Sequence, residues 1–504
     1  MSTVSADQHG TDRVSINVLP DEILLQVFQF YRADSLDPVS GTWDWQRLVR
    51  VCRAWHQTIL ESQNALDLRL LCTERTPMRK TMDVWPRLPI IIEYRHVPPA
   101  TSQSATAKDL GDLIAALRHN VRVCRITLSL TGPLVGTVAL AMLQPFPMLT
   151  YLRMQLCDDA APSPALPDGF LGGQAPHLQK MWLDGIRFPS LPKFLSGASS
   201  LVELRLDRIP DTWNISPQTL ATCLSTLPKL SSLSIEFQYP QSPPEPTPRH
   251  SPPPARFVLP ALAILFYKGE SEYLEDLVSQ IDAPKLSYAF IKFFNQLIFD
   301  ISELPRFISR TEKLRTLNRA EAFFDGQAVG IGFYRPEMTV PRNLTVRVAC
   351  IPSDWQLSSL AQLCNRSLSL LSGVEQLDIR DSRSREPHLQ DMMQWVDLFH
   401  PFTAVESLRI PRELETRIAP VLQELTEPRA EEVLPALNSL IFEELEPSSS
   451  EPGSLQRAID GFIASRERSG HPVDVRRWDG KWERDMEWEW DLAREWERDL
   501  KVKD

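Results

Sequence analysis

The chain has 504 residues, 43% of them hydrophobic and 24% charged, with a net charge of −11. That is enough material for two or three domains or for one elongated repeat domain. The acidic balance argues against a nucleic-acid groove as the main function, and the longest apolar runs, Leu134–Leu143 and Leu259–Tyr267, are too short to span a bilayer.

No positively charged and then apolar leader opens the chain, so no secretory signal is expected. Residues 1–14 are polar and are expected to be a disordered tail. Residues 15–65 then read as a small helical module. Pro20 suits the first turn of a helix, and Asp21 and Glu22 complement its positive end. Ile23, Leu24, Val27 and Phe28 fall on one helical face. A second segment carries Leu48, Val51, Cys52, Trp55 and Ile59 as one stripe, with Arg47, Arg50 and Arg53 off it. So few short helices cannot bury all of that surface among themselves, which leaves some of it for a partner.

Leu-Pro-Asp-Glu-Ile-Leu at 19–24 followed by Leu-Val-x-Val-Cys-x-x-Trp at 48–55 resembles the F-box, a helical module that docks on the Skp adaptor of cullin–RING ubiquitin ligases. Leu66–Thr73 and Trp85–Ile92 resemble the segment C-terminal to the F-box in fungal members of that family. Residues 32–44 make a longer connection than the compact module uses. The resemblance implies adaptor contacts at Leu19, Pro20, Ile23, Val27, Phe28, Val51, Cys52 and Trp55.

Residues 66–120 are expected to be a connection and the N-terminal cap of a repeat domain. From 121 to 475 the form apolar-x-x-apolar-x-apolar recurs. It is seen at Val123/Ile126/Leu128, Leu149/Leu152/Met154, Leu178/Met181/Leu183, Leu201/Leu204/Leu206 and Leu230/Leu233/Ile235. It returns at Leu262/Leu265, Leu286/Ala289/Ile291, Val374/Leu377/Ile379, Val405/Leu408/Ile410 and Leu437/Leu440/Phe442. Leu314/Leu317 reads as a damaged copy with Arg319 at an apolar position, and Leu344–Val348 fills the gap after it. Spacing of roughly 23–32 residues predicts a leucine-rich-repeat solenoid, each unit giving one strand and a returning helix. Helices are expected at Pro217–Leu227, Tyr273–Ile281 and Met392–Phe399. The fold class is therefore α/β: a helical module followed by a curved parallel sheet with outer helices.

Residues 240–256 are a Pro-rich insertion, with Ser242, Thr247 and Ser251 each followed by Pro. Residues 476–504 read as a highly charged helix bearing Trp478, Trp482, Trp488, Trp490 and Trp496, placed to cover the last repeat.

Chemistry is scarce. The histidines and the seven cysteines, at 52, 72, 124, 157, 223, 350 and 364, show no metal-ligand spacing, and the cysteines read as reduced thiols of the cytoplasm or nucleus. No nucleophile elbow, phosphate loop or dinucleotide fingerprint occurs, so no cofactor, metal or enzymatic activity is expected. Recognition remains. The residues between the apolar anchors face outward on the concave sheet: Tyr151, Arg153, Trp182, Arg205, Phe290 and Arg409 are the candidate substrate contacts, with Lys180, Asp184, Glu203, Tyr288, Lys292, Gln376 and Asp378 beside them. These features describe a substrate-recognition adaptor: the module holds the Skp adaptor and, through it, cullin and RING subunits, while the solenoid binds a substrate protein. Neither nucleic acid nor membrane is an expected partner. The rival is a repeat scaffold whose N-terminal helices only cap the solenoid.

Overall fold

The leucine or valine that opens each repeat is buried, in all but the first copy (Val123, within β3) just ahead of a strand, and the apolar residues after it point inward from that strand. The computed structural model describes residues 19–34, 45, 48–63, 65–73, 88–95, 103–158, 164–210, 215–238, 256–294, 301–325, 327–335, 343–350, 353–367, 369–381, 392–411, 414, 418, 421–422, 432–443 and 453–478. Residues 1–14, residues 240–255 of the Pro-rich insertion and all of the Trp-rich segment beyond Trp478 lie outside the described residues. Two units divide the chain: Met1–Ala160 with Gly169–His177, and Ala161–Asp168 with Leu178–Asp504.

The first unit holds helices α1 (Asp21–Asp34) and α2 (Arg53–Glu61), then strands β1 (Leu70–Cys72), β2 (Ile90–Arg95), β3 (Val123–Leu130) and β4 (Tyr151–Leu156). Helices α3 (Gln103–Leu117) and α4 (Gly132–Ala141) come after β2 and β3. The strands pair in parallel in sequence order, Leu70 opposite Ile90, Ile92 opposite Ile126 and Ile126 opposite Leu152. β1 and β2 fall within the span 66–120 and extend the ladder that β3 continues. Their buried runs, Leu70-Leu71-Cys72 and Ile90-Ile91-Ile92, lack the alternation that marks the later repeats. Arg122 fastens the start of β2, its Nε and Nη2 donating to the Leu88 carbonyl at 2.9 and 2.7 Å.

In the second unit the strands are β5 (Lys180–Asp184), β6 (Glu203–Ile209), β7 (Ser232–Phe237), β8 (Phe257–Val258), β9 (Ile264–Gly269), β10 (Ile281–Asp282) and β11 (Tyr288–Phe293). They continue as β12 (Arg319–Phe324), β13 (Ala328–Tyr334), β14 (Leu344–Ala349), β15 (Gln376–Asp381), β16 (Ser407–Ile410), β17 (Ser439–Glu443) and β18 (Asp474–Trp478). Here the sheet runs β5-β6-β7-β9-β11-β14-β13-β12-β15-β16-β17-β18, while β8 pairs with β10. Helices α5 (Leu191–Ser196), α6 (Pro217–Leu224), α7 (Ser271–Gln280), α8 (Glu303–Arg310), α9 (Glu312–Arg315), α10 (Ser353–Ser367), α11 (Met392–Phe399) and α12 (Gly453–Arg468) return the chain between strands.

One departure interrupts the parallel series. The chain passes from β11 to β12, reverses into β13, and comes back through β14 to pair with β11; β13 is antiparallel to both neighbours. The reversal is local: the Asp325 carboxylate accepts from Gln327 N at 2.7 Å and from Ala328 N, an Asx-type turn. Arg319 proves not to be a failed anchor. The true copy is Leu317-x-x-Ala320-x-Ala322, in which Leu317, Ala320 and Ala322 are buried and Arg319 faces the other way. Gly330, in the centre of β13, is required by crowding. A Cβ there would lie 2.6 Å from both the Phe323 ring and the Val346 carbonyl, where Arg347 crosses that ring at 4.6 Å.

Successive helices are joined by a carboxylate. Glu275 of α7 accepts from the backbone N–H groups of Ser302, Glu303 and Leu304 at 2.7, 2.5 and 2.8 Å, capping α8 from the preceding repeat. Three orphan donors are satisfied by one buried side chain. Glu275→Ala is therefore expected to cost about 1–3 kcal/mol in denaturant unfolding. No change in stability would show that water serves these donors equally well.

Candidate functional site

Two surfaces are positioned by this fold, one on the N-terminal helices and one on the outward face of the sheet. Pro20 starts α1, its carbonyl accepting from Ile23 N and Leu24 N at 3.0 Å each. One side of α1 buries Leu24 and Phe28, and Phe28 meets Trp55 of α2 edge-on with ring centroids 4.8 Å apart. Thr58 Oγ1 donates to Asp21 Oδ1 at 3.2 Å, tying the ends of the same two helices. Trp45 is buried and donates from Nε1 to the Arg69 carbonyl at 3.2 Å. The long connection therefore does not prevent the helices from packing.

The neighbouring row of α1, one residue step round the helix, is apolar too. Leu19 is 37% exposed, Ile23 42%, Val27 41% and Phe30 73%, and Val51, just ahead of α2, is 59% exposed. Pro20 is exposed as well, whereas Cys52 is half-buried and caps α2, its sulfur accepting from Trp55 N at 3.5 Å. Of the adaptor contacts implied by resemblance, Phe28 and Trp55 are interior: they set the angle between the helices and are not part of the exposed stripe. Phe30 belongs to that stripe and lies outside the motif. Its i+3 spacing from Val27 could have found it. Arg50, Arg53 and His56 flank the stripe's α2 end around an open groove that also includes Cys52 and Gln57.

On the sheet, parallel registry converts single residues into rows. In the first unit Arg125 lies 4.3 Å over the Tyr151 ring, and Arg153 donates to Gln155 Oε1 at 3.1 Å. In the second unit Trp182, Arg205, Ser234, Phe266 and Phe290 stand opposite one another across β5, β6, β7, β9 and β11. Trp182 and Arg205 were expected to be open contacts, yet they are 7% and 5% exposed. The Arg205 guanidinium covers the indole at 4.1 Å and reaches Asp207 Oδ2 at 3.4 Å. A bulge in β6, with Arg208 at φ 47°, turns Arg208 back to pair with Asp184. Phe290 remains half-buried between Phe266, 6.0 Å away, and the Arg347 guanidinium at 5.3 Å. Farther along, Arg409 lies 3.6 Å from Asp378, which also accepts from the Tyr334 hydroxyl, and Arg380 pairs with Glu321 at 2.9 Å.

These rows hold carboxylates against their chemistry. Burial, then the neighbouring Glu236 charge, pushes Asp207 up to about 7, with Arg205 opposing. Burial also raises Glu236, although Lys268, Arg205 and Lys292 pull it down. Among the described residues no group of three or more His, Cys, Asp or Glu could hold a metal ion, and no helix is long and apolar enough to cross a membrane.

Residues 16–64 match the model of the F-box-like family, so the two helices and the segment between them form an F-box-like domain. No curated protein matches the chain.

The buried acids make stability depend on pH. Unfolded carboxyls titrate near about 4, so from there to pH 7 folded Asp207 keeps a proton that the unfolded chain releases. Stability should fall as pH rises through that window and stay reduced above it. Glu236→Gln removes a second raised titration and the like charge beside Asp207. Its melting temperature relative to the wild type should therefore rise between pH 5 and pH 8. A difference that is flat, or that narrows with pH, would contradict this coupling.

Proposed function

We propose that this chain is the substrate-recognition subunit of a Skp–cullin–F-box ubiquitin ligase. The observation carrying the reading is an F-box-like domain whose α1 carries two adjoining apolar rows, one buried, with Phe28 on Trp55, and the other, Leu19, Ile23, Val27 and Phe30, exposed. Each such side chain gains about 1.5–3 kcal/mol on full burial, so the stripe favours a second polypeptide. Leu19, Pro20, Ile23, Val27, Phe30, Val51 and Cys52 would meet the Skp adaptor, and through it the cullin and RING subunits. The sheet rows support presentation of a substrate protein, with Tyr151 and Arg153 on the first unit and Phe290 and Arg409 on the second.

In this reading the chain contributes proximity rather than a covalent step: it holds a substrate lysine near a ubiquitin-carrying enzyme. The cysteines fit a passive role. Burial pushes the thiols of Cys72, Cys124, Cys223, Cys350 and Cys364 up, away from the reactive thiolate. All seven cysteines are free, in keeping with a place in the cytoplasm or nucleus.

Capture on immobilised, purified Skp adaptor tests the reading. Ile23→Asp/Val27→Asp should reduce capture by at least about tenfold, the scale of a central interface contact, with the melting temperature unchanged because both side chains are exposed. Equal recovery of the variant and the wild type would defeat the ligase reading and favour a repeat scaffold. Phe28→Ala should behave differently, losing about 3–5 kcal/mol of stability because it opens a cavity between α1 and α2.

A further inference from the structure

The groove at the head of α2 is left over once the apolar stripe has been assigned. Its volume is about 730 Å³, within the range of ligand-binding clefts. Arg53, His56, Gln57 and Leu60 follow the i, i+3, i+4, i+7 spacing, so they share the helix face turned away from buried Trp55, Thr58 and Ile59. Val49 and Arg50 line the groove from the turn before the helix. Arg50 and Arg53 are exposed, and among the described residues neither has a hydrogen-bond or ion-pair partner. Glu61, the one carboxylate in the lining, stands two turns farther on, about 12 Å along the axis from Arg53. It accepts from Gln57 Nε2 at 2.8 Å. That separation exceeds the Debye length of about 8 Å in physiological salt, so the arginine end of the groove stays positive. Val51, the stripe's member ahead of α2, lies between Arg50 and Cys52, which both line the groove. One polypeptide seated on the stripe therefore reaches both surfaces.

We propose that this groove receives a carboxylate-bearing segment of the polypeptide that covers the stripe, which makes the docking surface part apolar and part electrostatic. The assignment rests on the ligase reading for the partner's identity, the Skp adaptor. It adds the chemistry that partner presents: Asp or Glu side chains placed to meet Arg50 and Arg53. Charge complementarity selects this occupant. An arginine fork takes a carboxylate through two parallel hydrogen bonds, and two free arginines three residues apart offer two such forks. The chain as a whole carries a net charge of −11, so an acidic partner is repelled from it at large. A positive groove beside the stripe offsets that repulsion locally and steers the partner to the docking site. Both arginines stand in water at the rim, so their contribution falls on the rate of association and its salt dependence rather than on the lifetime of the complex.

Association of the full chain with immobilised, purified Skp adaptor, followed at about 50 mM and about 500 mM NaCl, tests it. Wild-type association should slow by at least about tenfold over that range. Arg50→Gln/Arg53→Gln should associate about tenfold more slowly than the wild type at the lower salt and at nearly the same rate at the higher. Its dissociation rate and melting temperature should stay unchanged. Arg50→Lys/Arg53→Lys, which keeps the charge, should retain most of the salt-dependent association. Three results would overturn the proposal: wild-type association that ignores salt, a glutamine variant as fast as the wild type at low salt, or an equal loss at both salt concentrations. The last would make the arginines steric contacts. In each of these cases the adaptor is still captured and the ligase reading stands. Absence of wild-type capture would instead remove the ligase reading, and the groove's partner with it, so the two failures remain distinguishable.

Discussion

Parallel pairing in constant register governs this structure. When strand after strand pairs at equivalent residues, as Leu183 sits opposite Leu206 and Leu233 opposite Leu265, inward positions stack into a continuous apolar layer. The same geometry forces the outward positions into rows. Arg205 can cover Trp182, and Arg347 can reach both Phe290 and Phe323, because registry places them side by side. The chemistry this sheet presents is a property of rows spanning several repeats.

The antiparallel excursion through β13 does not escape that constraint. β12 and β14 still present Glu321 and Thr345 outward with Gly332 of β13 between them in register, and Gly330 lies likewise between Phe323 and Arg347. Glycine lets the side chains of the flanking strands meet over the intruding strand, so Arg347 touches Phe323 across it. A local reversal is thus accommodated by removing side chains where the rows must remain continuous.

Charge is treated differently on the two surfaces. The stripe on α1 is apolar, with Arg50 and Arg53 on the flank near α2. The sheet rows bury carboxylates beside guanidinium groups, where desolvation competes with pairing. Asp207 shows the outcome: burial and Glu236 outweigh Arg205, and the acid keeps its proton toward neutrality.

Much was legible in the linear pattern. The apolar-x-x-apolar-x-apolar spacing places β3 through β7 and β15 through β17, because burial of one sheet face imposes a two-residue period that local composition reveals. Likewise the 19–24 and 48–55 segments identify the F-box-like helices, since both motif and helical period are local. β13 was not legible, for its Val329, Ile331 and Phe333 alternate with Gly330 and Gly332, and glycine does not mark an outward face as a polar residue would. Nor was the location of Arg319, which only pairing with Gln376 and Tyr334 assigns to the outward face. Tertiary structure alone decided that Phe28 and Trp55 turn inward while Ile23 and Val27 stay in water, and that Trp182 lies beneath Arg205. Periodicity states which residues share a face; which faces are covered depends on contacts between residues far apart in the chain, and these exist only once it has folded.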